Sequence, residues 1–403
     1  MSTSIQLDEE IEGDLIGSKN YRFSKIGTPV PIKPGEDSSF DIENECPPLQ
    51  PLVVSERFRL LFVAHSNGFC VARTKEVMAS AEEIKEKGSG PSIQELSVVD
   101  VAIGKVSVLA LSGDDSLLAA CVGNKVHFFP VSALLYKDQT PAFSHSLNDS
   151  SIIKDLQWAR KAEKAYVVLS SDGKLYSGIG QSPIKEVMGD TDAVGWSPDG
   201  EFIAVTRKNL ISILSSKFEE KFSLSLSFMS LHDDSNVKYV IKVDAVRWIR
   251  PDCIIIGCLQ VNDDDEEEEN YAVQVITSEN GKITNPSAKR VVRSFRDIFL
   301  DFRYDAVPLC NGPHLFASYL DQHQLAFVAN RKNLDQHILL FGWSVGDAKN
   351  ETAIIEILSD SWSPKIEAQD CGDDVLILGL AIDRVSQNGE IKLLLGEEEQ
   401  EVS

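Results

Sequence analysis

Two cysteines, Cys253 and Cys258, come nearest to the spacing of a metal or redox pair. The apolar residues around them predict a β-strand, on which side chains five positions apart point to opposite faces. We therefore expect buried core thiols here and not converging ligands. The seven histidines are scattered, and His323 and His337 lie in or near predicted turns without a second ligand at useful spacing. No metal site is predicted.

Two further groups invite a chemical interpretation. Seven consecutive acidic residues, 263–269, could attract calcium loosely, but they lack the glycine and the spaced ligands of a calcium loop. A solvated hairpin loop is the better interpretation. Trp158, Trp196 and Trp248 could line an aromatic cage, yet each closes an equivalent apolar run, which favours core packing.

Common catalytic motifs are absent from the sequence. We find no G-x-x-x-x-G-K-[ST], G-x-S-x-G, H-E-x-x-H or C-x-x-C. No motif in the sequence predicts a cofactor. The role of the residues above therefore depends on the secondary-structure elements in which they lie.

Those elements recur. Residues 193–214, AVGWSPDGEFIAVTRKNLISIL, predict strand, turn, strand, turn and strand. Similar units begin at six other places: Leu52, Lys105, Lys154, Val243, Leu315 and Val375. Asp199–Gly200, Asp172–Gly173 and Asn67–Gly68 supply turn residues that tolerate positive φ. Repeats of about 40–60 residues with three or four strands each predict a β-propeller, because one blade cannot cover its own faces.

The predicted fold is therefore all-β, a seven-bladed, WD-like β-propeller over residues 21–396. It lies between an acidic N-terminal segment (1–20) and an acidic C-terminal tail (397–403). Residues 74–87 predict a short inserted helix, with Thr74 as its cap. YRFSKIG (21–27) predicts an isolated strand that completes the last blade. The residues after the run from Val375 are too few for the rest of a blade, so the seventh blade is expected to be incomplete.

Charge and composition narrow the function classes. The formal net charge is −23 over 403 residues, which disfavours direct nucleic-acid binding and favours basic protein partners. No apolar run approaches the roughly 20 residues that span a membrane, so membrane insertion is not expected. The start of the chain has no apolar core typical of a signal peptide. Seven cysteines without regular pairing distances indicate a reducing compartment.

Polar loops remain as candidate binding elements, since propellers bind partners through loops on a rigid scaffold. The candidate loops are 230–236, 330–336 and 343–351, each mixing charged with small residues. Taken alone, each is better explained as an ordinary solvated loop than as an interface.

Several stretches resemble a known family. They include YRFSKIGTPVPIK, SERFRLLFVAHSNGFCVARTKEVM, VDAVRWIRPDCIIIGC and GPHLFASYLDQHQLAFVANRKNLDQHILLFGWS. From about residue 8 to about residue 396, the chain resembles the plant version of the large FG-repeat nucleoporins of the cytoplasmic face of the nuclear pore. The first domain of those proteins is a seven-bladed propeller.

The resemblance implies a non-catalytic scaffold at the nuclear pore complex and nuclear envelope, in contact with other nucleoporins. It implies docking of the DEAD-box RNA helicase of mRNA export, through the basic RNA-binding surface of the helicase's N-terminal RecA-like domain. It also implies partner contacts from loops of the late blades, which correspond here to eight residues. These are Asp233, Asp234, Trp343, Asp347 and Lys349, with Arg331, Lys332 and Asp335 added as neighbours.

The chain departs from the family in two ways. It contains one FG dipeptide, Phe341–Gly342, and no FG-rich tail, and it lacks strands for the seventh blade. We expect either a fragment or a short form whose ring closes imperfectly.

Two alternatives stay open. The repeats are also consistent with a generic WD-like scaffold of another cytoplasmic or nuclear complex. A propeller hydrolase is disfavoured, because we expect no repeated Asp, Glu or His on the inner strands.

Overall fold

The computed structural model describes the chain in fourteen stretches. They are residues 3–7, 9–35, 45–148, 151–160, 164–226, 239–262, 268–279, 281–307, 309–335, 337–343, 351–366, 375–386, 391–395 and 398–402. Residues 3–18 form three short strands: β1 (Thr3–Gln6), β2 (Glu9–Glu12) and β3 (Asp14–Ser18). None of these pairs with another of the three, and each joins a different sheet farther along the chain.

Sheets 1 to 3 each consist of four antiparallel strands that are consecutive in sequence. Sheet 1 contains β4 (Leu52–Ser55), β5 (Leu60–His65), β6 (Gly68–Arg73) and β7 (Val99–Ala102). Sheet 2 contains β8 (Val108–Leu111), β9 (Leu117–Val122), β10 (Lys125–Pro130) and β11 (Phe143–Ser146). Sheet 3 contains β12 (Ile153–Trp158), β13 (Ala165–Ser170), β14 (Leu175–Ile179) and β15 (Lys185–Met188).

Sheets 4 to 6 each add one N-terminal strand in parallel at the outer edge. Sheet 4 contains β16 (Ala193–Trp196), β17 (Phe202–Arg207), β18 (Leu210–Ser215), β19 (Glu220–Ser225) and β1. Sheet 5 contains β20 (Tyr239–Arg250), β21 (Cys253–Asn262), β22 (Glu268–Ser278), β23 (Arg290–Phe295) and β2. Sheet 6 contains β24 (Leu315–Leu320), β25 (Leu325–Asn330), β26 (Leu339–Trp343), β27 (Thr352–Ile357) and β3.

The sheets pack face to face in chain order, as the period-2 alternation of their strands requires. In β21, Ile254 and Ile256 pack between sheets 4 and 5, whereas Ile255 packs between sheets 5 and 6. All three are fully buried, and burial of such a side chain stabilises the fold by about 1.5–3 kcal/mol. The first strands of the sheets line a central cavity of about 790 Å³. The predicted all-β propeller is confirmed.

Successive strands of each sheet are connected at alternating ends, so the connections lie on two opposite faces of the ring. The face that carries the β23–β24 and β25–β26 connections is called the upper face, and the opposite face is called the lower face. Helix α1 (Thr74–Lys87) follows β6 at the lower face, and α2 (Val131–Leu135) follows β10 there. None of the helices in the described stretches is long and apolar enough to cross a membrane.

The inserted helix occupies residues 74–87, as predicted, but Thr74 is not its N-cap. Arg73 occupies the N-cap, and no side chain caps the helix there. Thr74 lies inside the helix, where its hydroxyl donates to the Arg59 carbonyl over 3.3 Å. Gly88 ends the helix in the left-handed region with φ 75°.

The predicted strand at 21–27 is wrong. Residues 21–26 form no regular secondary structure; the Phe23 N–H donates to the Trp362 carbonyl over 2.9 Å. The Phe23 ring packs edge-on against Phe327, with ring centroids 5.7 Å apart. The N terminus does hold the ring together, but through β1–β3 on sheets 4 to 6.

The position between sheet 6 and sheet 1 holds residues 375–386. This segment forms no strand. Ile377 and Leu380 pack against Phe316 of β24, and a Cβ placed on Gly379 would lie 3.0 Å from the Pro51 ring beside β4. Farther along, β28 (Ile391–Leu395) and β29 (Glu398–Val402) pair as a hairpin. In the stretches that the structure describes, six complete sheets and this inserted segment thus form the ring.

Candidate docking surface

Sheet 5 rises above its neighbours on the upper face. Tyr239 pairs with Asn262, and Val261 pairs with Glu268, so β20–β22 continue beyond the length of the other strands. Each of these strands has about four residues more than the strands of the other sheets, at about 3.3 Å each, so β20–β22 form a ridge roughly 13 Å high. Its tip joins β21 to β22, which confirms the hairpin predicted around the acidic run. Residues 263–267 of that run lie outside the described residues.

Beside the ridge, the β23–β24 connection is fixed by hydrogen bonds to the β25–β26 turn. The Asp301 N–H donates to Asn333 Oδ1 over 3.2 Å, and the Arg303 N–H donates to the Lys332 carbonyl over 2.9 Å. The Leu334 N–H donates back to the Asp301 carbonyl over 2.9 Å. Two loops distant in sequence thus form one rigid surface.

This surface exposes large apolar side chains among carboxylates. Leu300 is 81% exposed, Leu309 is 54% exposed and Tyr304 is 51% exposed. Asp297, Asp301 and Asp305 are also exposed, and Arg303 lies 3.8 Å from the Asp301 carboxylate. We call these seven residues the platform. Exposed aromatic and apolar side chains with a charged rim are typical of a protein-binding surface.

Three of the predicted contact residues are buried. Arg331 is fully buried, and its guanidinium donates to the carbonyls of Pro48 and Leu49. Lys332 is 3% exposed, and its ammonium group donates to the Tyr304 carbonyl over 2.9 Å. Trp343 is 4% exposed, with the Arg250 guanidinium 5.4 Å from its ring centroid. A direct contact between these side chains and a partner would require the surrounding loops to rearrange.

The structure does not bring the predicted residues together. Arg331 follows the upper end of β25, whereas Trp343 ends β26 at the lower end of the same sheet, about 17 Å away along the strands. Asp335 is half-buried on the upper face. The remaining four predicted residues lie outside the described residues: Asp233, Asp234, Asp347 and Lys349.

Asp335 belongs to an exposed charge cluster on the upper face of sheet 6. Its carboxylate lies 2.7 Å from His337 Nδ1, and the Asp360 carboxylate lies 2.8 Å from His337 Nε2. Lys365 pairs with Asp360 over 2.6 Å. Hydrogen bonds to Asp360 and Asp335 raise the pKa of His337 above its ordinary value, against the opposing effect of partial burial.

Sequence analysis missed two carboxylates on inner strands: Asp155, which lines the central cavity, and Asp244, which is buried. Asp155 on β12 accepts a hydrogen bond from Gln157 over 2.8 Å and lies 3.5 Å from Arg247. Asp244 on β20 is buried and accepts hydrogen bonds from the Tyr271 hydroxyl and the His314 N–H, both over 2.7 Å. The two carboxylates do not occupy equivalent positions: Asp155 lies three residues before Trp158, whereas Asp244 lies four before Trp248, at a register shift of β20. DLQW and VDAVRW show both aspartates in the sequence.

The Asp244 carboxylate is held as an ion by its surroundings. Burial favours the neutral form of Asp244, but the charges of His314 and Lys154 and the two hydrogen bonds outweigh it and lower its pKa. Such an arrangement stabilises the contact between sheet 5 and the segment that leads into sheet 6.

The other chemical candidates pack in the core. Cys253 faces the core between sheets 5 and 6, and Cys258 faces the core between sheets 4 and 5, which confirms that they do not converge. Trp158, Trp196 and Trp248 are all buried, and the Trp158 indole N–H donates to the Ala110 carbonyl over 3.2 Å. Within the described stretches, no three His, Cys, Asp or Glu side chains gather to hold a metal ion.

A ring of four- and five-stranded sheets around a central cavity, with an exposed loop platform, defines a β-propeller of the kind that binds proteins through its loops. Among the solved structures that share this fold, two match over nearly the whole chain. One chain of a S. cerevisiae assembly of Dbp5 with Nup159, Gle1, IP6 and ADP is 14% identical, with a TM-score of 0.66. The N-terminal domain of Nup159 is 15% identical, with a TM-score of 0.65. In both comparisons the match covers 96% of this chain and 94% of the other.

Residues 47–322 match the family model of the NUP159/214 β-propeller, which is more than half of the chain. The chain therefore belongs to the NUP159/214 β-propeller family of nucleoporins. A search of curated protein sequences gives no match.

Proposed function

We propose that this chain is a non-catalytic scaffold propeller of the nuclear pore complex that docks the DEAD-box RNA helicase of mRNA export at the cytoplasmic face of the pore. Membership of the NUP159/214 family is the observation that carries the proposal. The S. cerevisiae assembly, in which Dbp5 is bound to Nup159, supports the helicase as the class of partner.

Electrostatics favours such a partner. An RNA-binding surface is basic, and a chain of net charge −23 attracts it over long range and raises the association rate. If docking covers the surface that holds RNA, the helicase releases RNA as it binds. In this way the propeller contributes to remodelling of the ribonucleoprotein particle without catalytic groups of its own.

We assign the contact to the platform and the adjacent ridge of sheet 5. Leu300 and Tyr304 supply the apolar centre, and Asp301 and Asp305 supply an acidic rim. Such a centre provides most of the binding free energy, while the rim charges govern association rate and salt dependence. Asp335 lies on the same face, and the predicted contacts at Asp233, Asp234, Asp347 and Lys349 remain part of the proposal.

The proposal is tested by calorimetric or interferometric binding of the purified chain to the helicase from the same source. We expect the dissociation constant to increase with ionic strength and RNA to compete for the helicase. Binding that responds neither to salt nor to RNA would contradict an acidic dock on an RNA-binding surface.

Two matched pairs of variants locate the contact. Tyr304→Ala should weaken binding by about 5- to 30-fold, corresponding to roughly 1–2 kcal/mol. Tyr136→Ala is its control, because Tyr136 is 87% exposed beside α2 on the lower face. Asp301→Lys should slow association, whereas Glu82→Lys on α1 should not. Equal effects within either pair would remove the platform from the docking site.

A third variant tests the predicted residues outside the platform. Reversing both Asp233 and Asp234 to lysine should weaken the complex by a few kcal/mol at most if they lie at its centre, and by much less at its rim. Unchanged affinity would remove this pair from the contact surface.

A further inference from the structure

The outer edge of sheet 6 is an open strand edge. β3 (Asp14–Ser18) is the last strand of this sheet, and in the described stretches only β27 pairs with it. The Leu358 N–H donates to the Ser18 carbonyl over 3.2 Å. In a parallel pair every second residue bonds to the same neighbour, so Ser18 and every second residue before it bond to β27. The N–H and C=O groups of Leu15 and Gly17 therefore point away from the sheet.

An apolar patch lies on one face of this edge. Leu15 is 63% exposed, and Gly17 faces the same side because side chains alternate along a strand. Leu358 is 58% exposed and covers Gly17, since a Cβ placed on that glycine would lie 2.8 Å from Leu358 Cδ2. The edge thus presents a protruding leucine and, two residues farther on, a position without a side chain that is bordered by a second exposed leucine.

The other two N-terminal strands lack such a patch. β2 carries three glutamates in four residues; Glu9 pairs with Lys289 over 3.4 Å, and Glu12 pairs with Arg296 over 3.9 Å. Charged side chains on an edge strand discourage further pairing. β1, TSIQ, contains a single large apolar residue. Of the three added edges, that of β3 is therefore the one suited to pairing with another strand.

We propose that β3 is a dimerisation edge, at which two copies of this chain pair antiparallel about a two-fold axis at Ile16. In this register Leu15 of one copy lies opposite Gly17 of the other, and these are the residues whose backbone groups are open. Each Leu15–Gly17 pair can exchange both of its N–H···O=C hydrogen bonds. The contact is isologous, so it closes with two copies and does not propagate into a fibre.

The side chains are complementary in the same register. Leu15 of each copy lies over Gly17 of the other and contacts Leu358 there, so the exposed leucines cover one another. Asp14 comes opposite Ser18 and beside Lys19 of the other copy, and both charged residues are exposed. A parallel register would place Asp14 against Asp14, which like charges disfavour. Opposite charges at both ends of the strand therefore select the antiparallel arrangement.

The paired strand is short, so the dimer is weak. Five residues from each copy bury much less than the roughly 1,200 Å² of a standard stable interface. We expect a dissociation constant of about 10–500 µM. The contact uses the outer rim of sheet 6, whereas the platform lies on the upper face, so the proposal does not rest on helicase docking.

The first test is sedimentation equilibrium of the full chain over a concentration series that brackets this range. We expect the average mass to rise from that of one chain toward that of two. Leu15→Lys should raise the dissociation constant about tenfold or more, because it places an ammonium group against Leu358 of the other copy. Tyr136→Lys is the matched control: Tyr136 is 87% exposed on the lower face, and this variant should dimerise like the wild type.

A second variant, Ile16→Cys, tests the register. On the two-fold axis the two residues 16 form a non-hydrogen-bonded pair with Cα atoms about 4.5 Å apart, which lies within the range for a disulfide. Under mild oxidation this variant should give a crosslinked dimer. Leu300→Cys is the control, because Leu300 is 81% exposed on the platform and should crosslink only by random collision.

The proposal is overturned if the wild type sediments as a single chain throughout, if Leu15→Lys dimerises as well as Tyr136→Lys, or if Ile16→Cys crosslinks no faster than Leu300→Cys. Leu15 is largely exposed, so its replacement is expected to fold, which an unchanged circular dichroism spectrum confirms. Leu358→Lys tests the same contact from its other side and should weaken the dimer equally.

Discussion

Replacing the buried Arg331 by methionine should destabilise the whole ring without acting on the docking surface directly. The arginine is fully buried and donates to the carbonyls of Pro48 and Leu49, which precede sheet 1. Its guanidinium also lies 5.0 Å from the ring centroid of Phe316 in sheet 6. Methionine retains much of the side-chain volume but no donor, so both carbonyls lose their partner.

The magnitude follows from the two carbonyls. A buried acceptor left without a donor costs about 1–3 kcal/mol, and part of that is recovered because no charge is buried any longer. We therefore expect about 3 kcal/mol less free energy of unfolding. With an unfolding entropy of roughly 2.1 cal/mol/K per residue over 403 residues, this corresponds to a fall in Tm of about 4 °C.

Differential scanning calorimetry at one fixed scan rate measures this fall, because unfolding of a chain this long is partly under kinetic control. Arg303→Met is the matched control: Arg303 is exposed on the neighbouring connection and should change Tm by less than about 1 °C. Arg331→Lys should give an intermediate loss, since an ammonium group cannot reach both carbonyls as a planar fork does. An Arg331→Met variant as stable as Arg303→Met would refute the structural role derived for Arg331.

Three further outcomes are expected. Deletion of residues 1–18 removes β1–β3 and exposes the edges of β19, β23 and β27, so light scattering should show concentration-dependent association; a monomer at all concentrations would contradict this. Tyr271→Phe removes the hydroxyl that donates to Asp244 and should lower stability by about 1–3 kcal/mol in chemical denaturation, whereas an unchanged midpoint would contradict the role of that hydrogen bond. The raised pKa of His337 means that its ion pairs stabilise the fold fully below its unfolded pKa, near 6.5, and are lost as pH rises through the higher folded pKa. NMR titration should show that Asp360→Asn lowers this pKa; no change would contradict the assigned hydrogen bond.

Local sequence was sufficient for most of the propeller. Alternating apolar runs between turn residues such as Asp199 and Gly200 predicted the strands, because a half-buried strand requires that alternation whatever its neighbours are. The helix at 74–87 and the core packing of Trp158 were also predicted from residue types and spacing within a short stretch of sequence. Each of these features depends on contacts whose residue types are visible within a few positions.

The N-terminal strands could not be predicted in the same way. β2 and β3 are four and five residues long and contain acidic residues, and their partners β23 and β27 lie hundreds of positions away. Parallel pairing at an outer edge needs backbone donors and acceptors more than a particular side-chain pattern. Residues 21–27, predicted as an isolated strand, instead pack Phe23 against Phe327 of sheet 6.

The docking residues show the same limit. Arg331 and Lys332 are charged residues beside a turn, which predicts exposure, yet the approach of two other segments buries both. Leu300 and Tyr304 were not selected, because an isolated apolar residue in a loop does not reveal whether it faces solvent. Only the hydrogen bonds between the β23–β24 connection and the β25–β26 turn place these residues on one surface.

The amino-acid sequence by itself determined the repeating strands, the acidic character and the absence of common catalytic motifs, since these depend on residue type and spacing alone. The tertiary structure alone decided which loops share a face and which charges are buried. Those properties arise from contacts between residues such as Asp301 and Asn333, whose proximity is set by the packing of two loops and leaves no periodic trace along the chain.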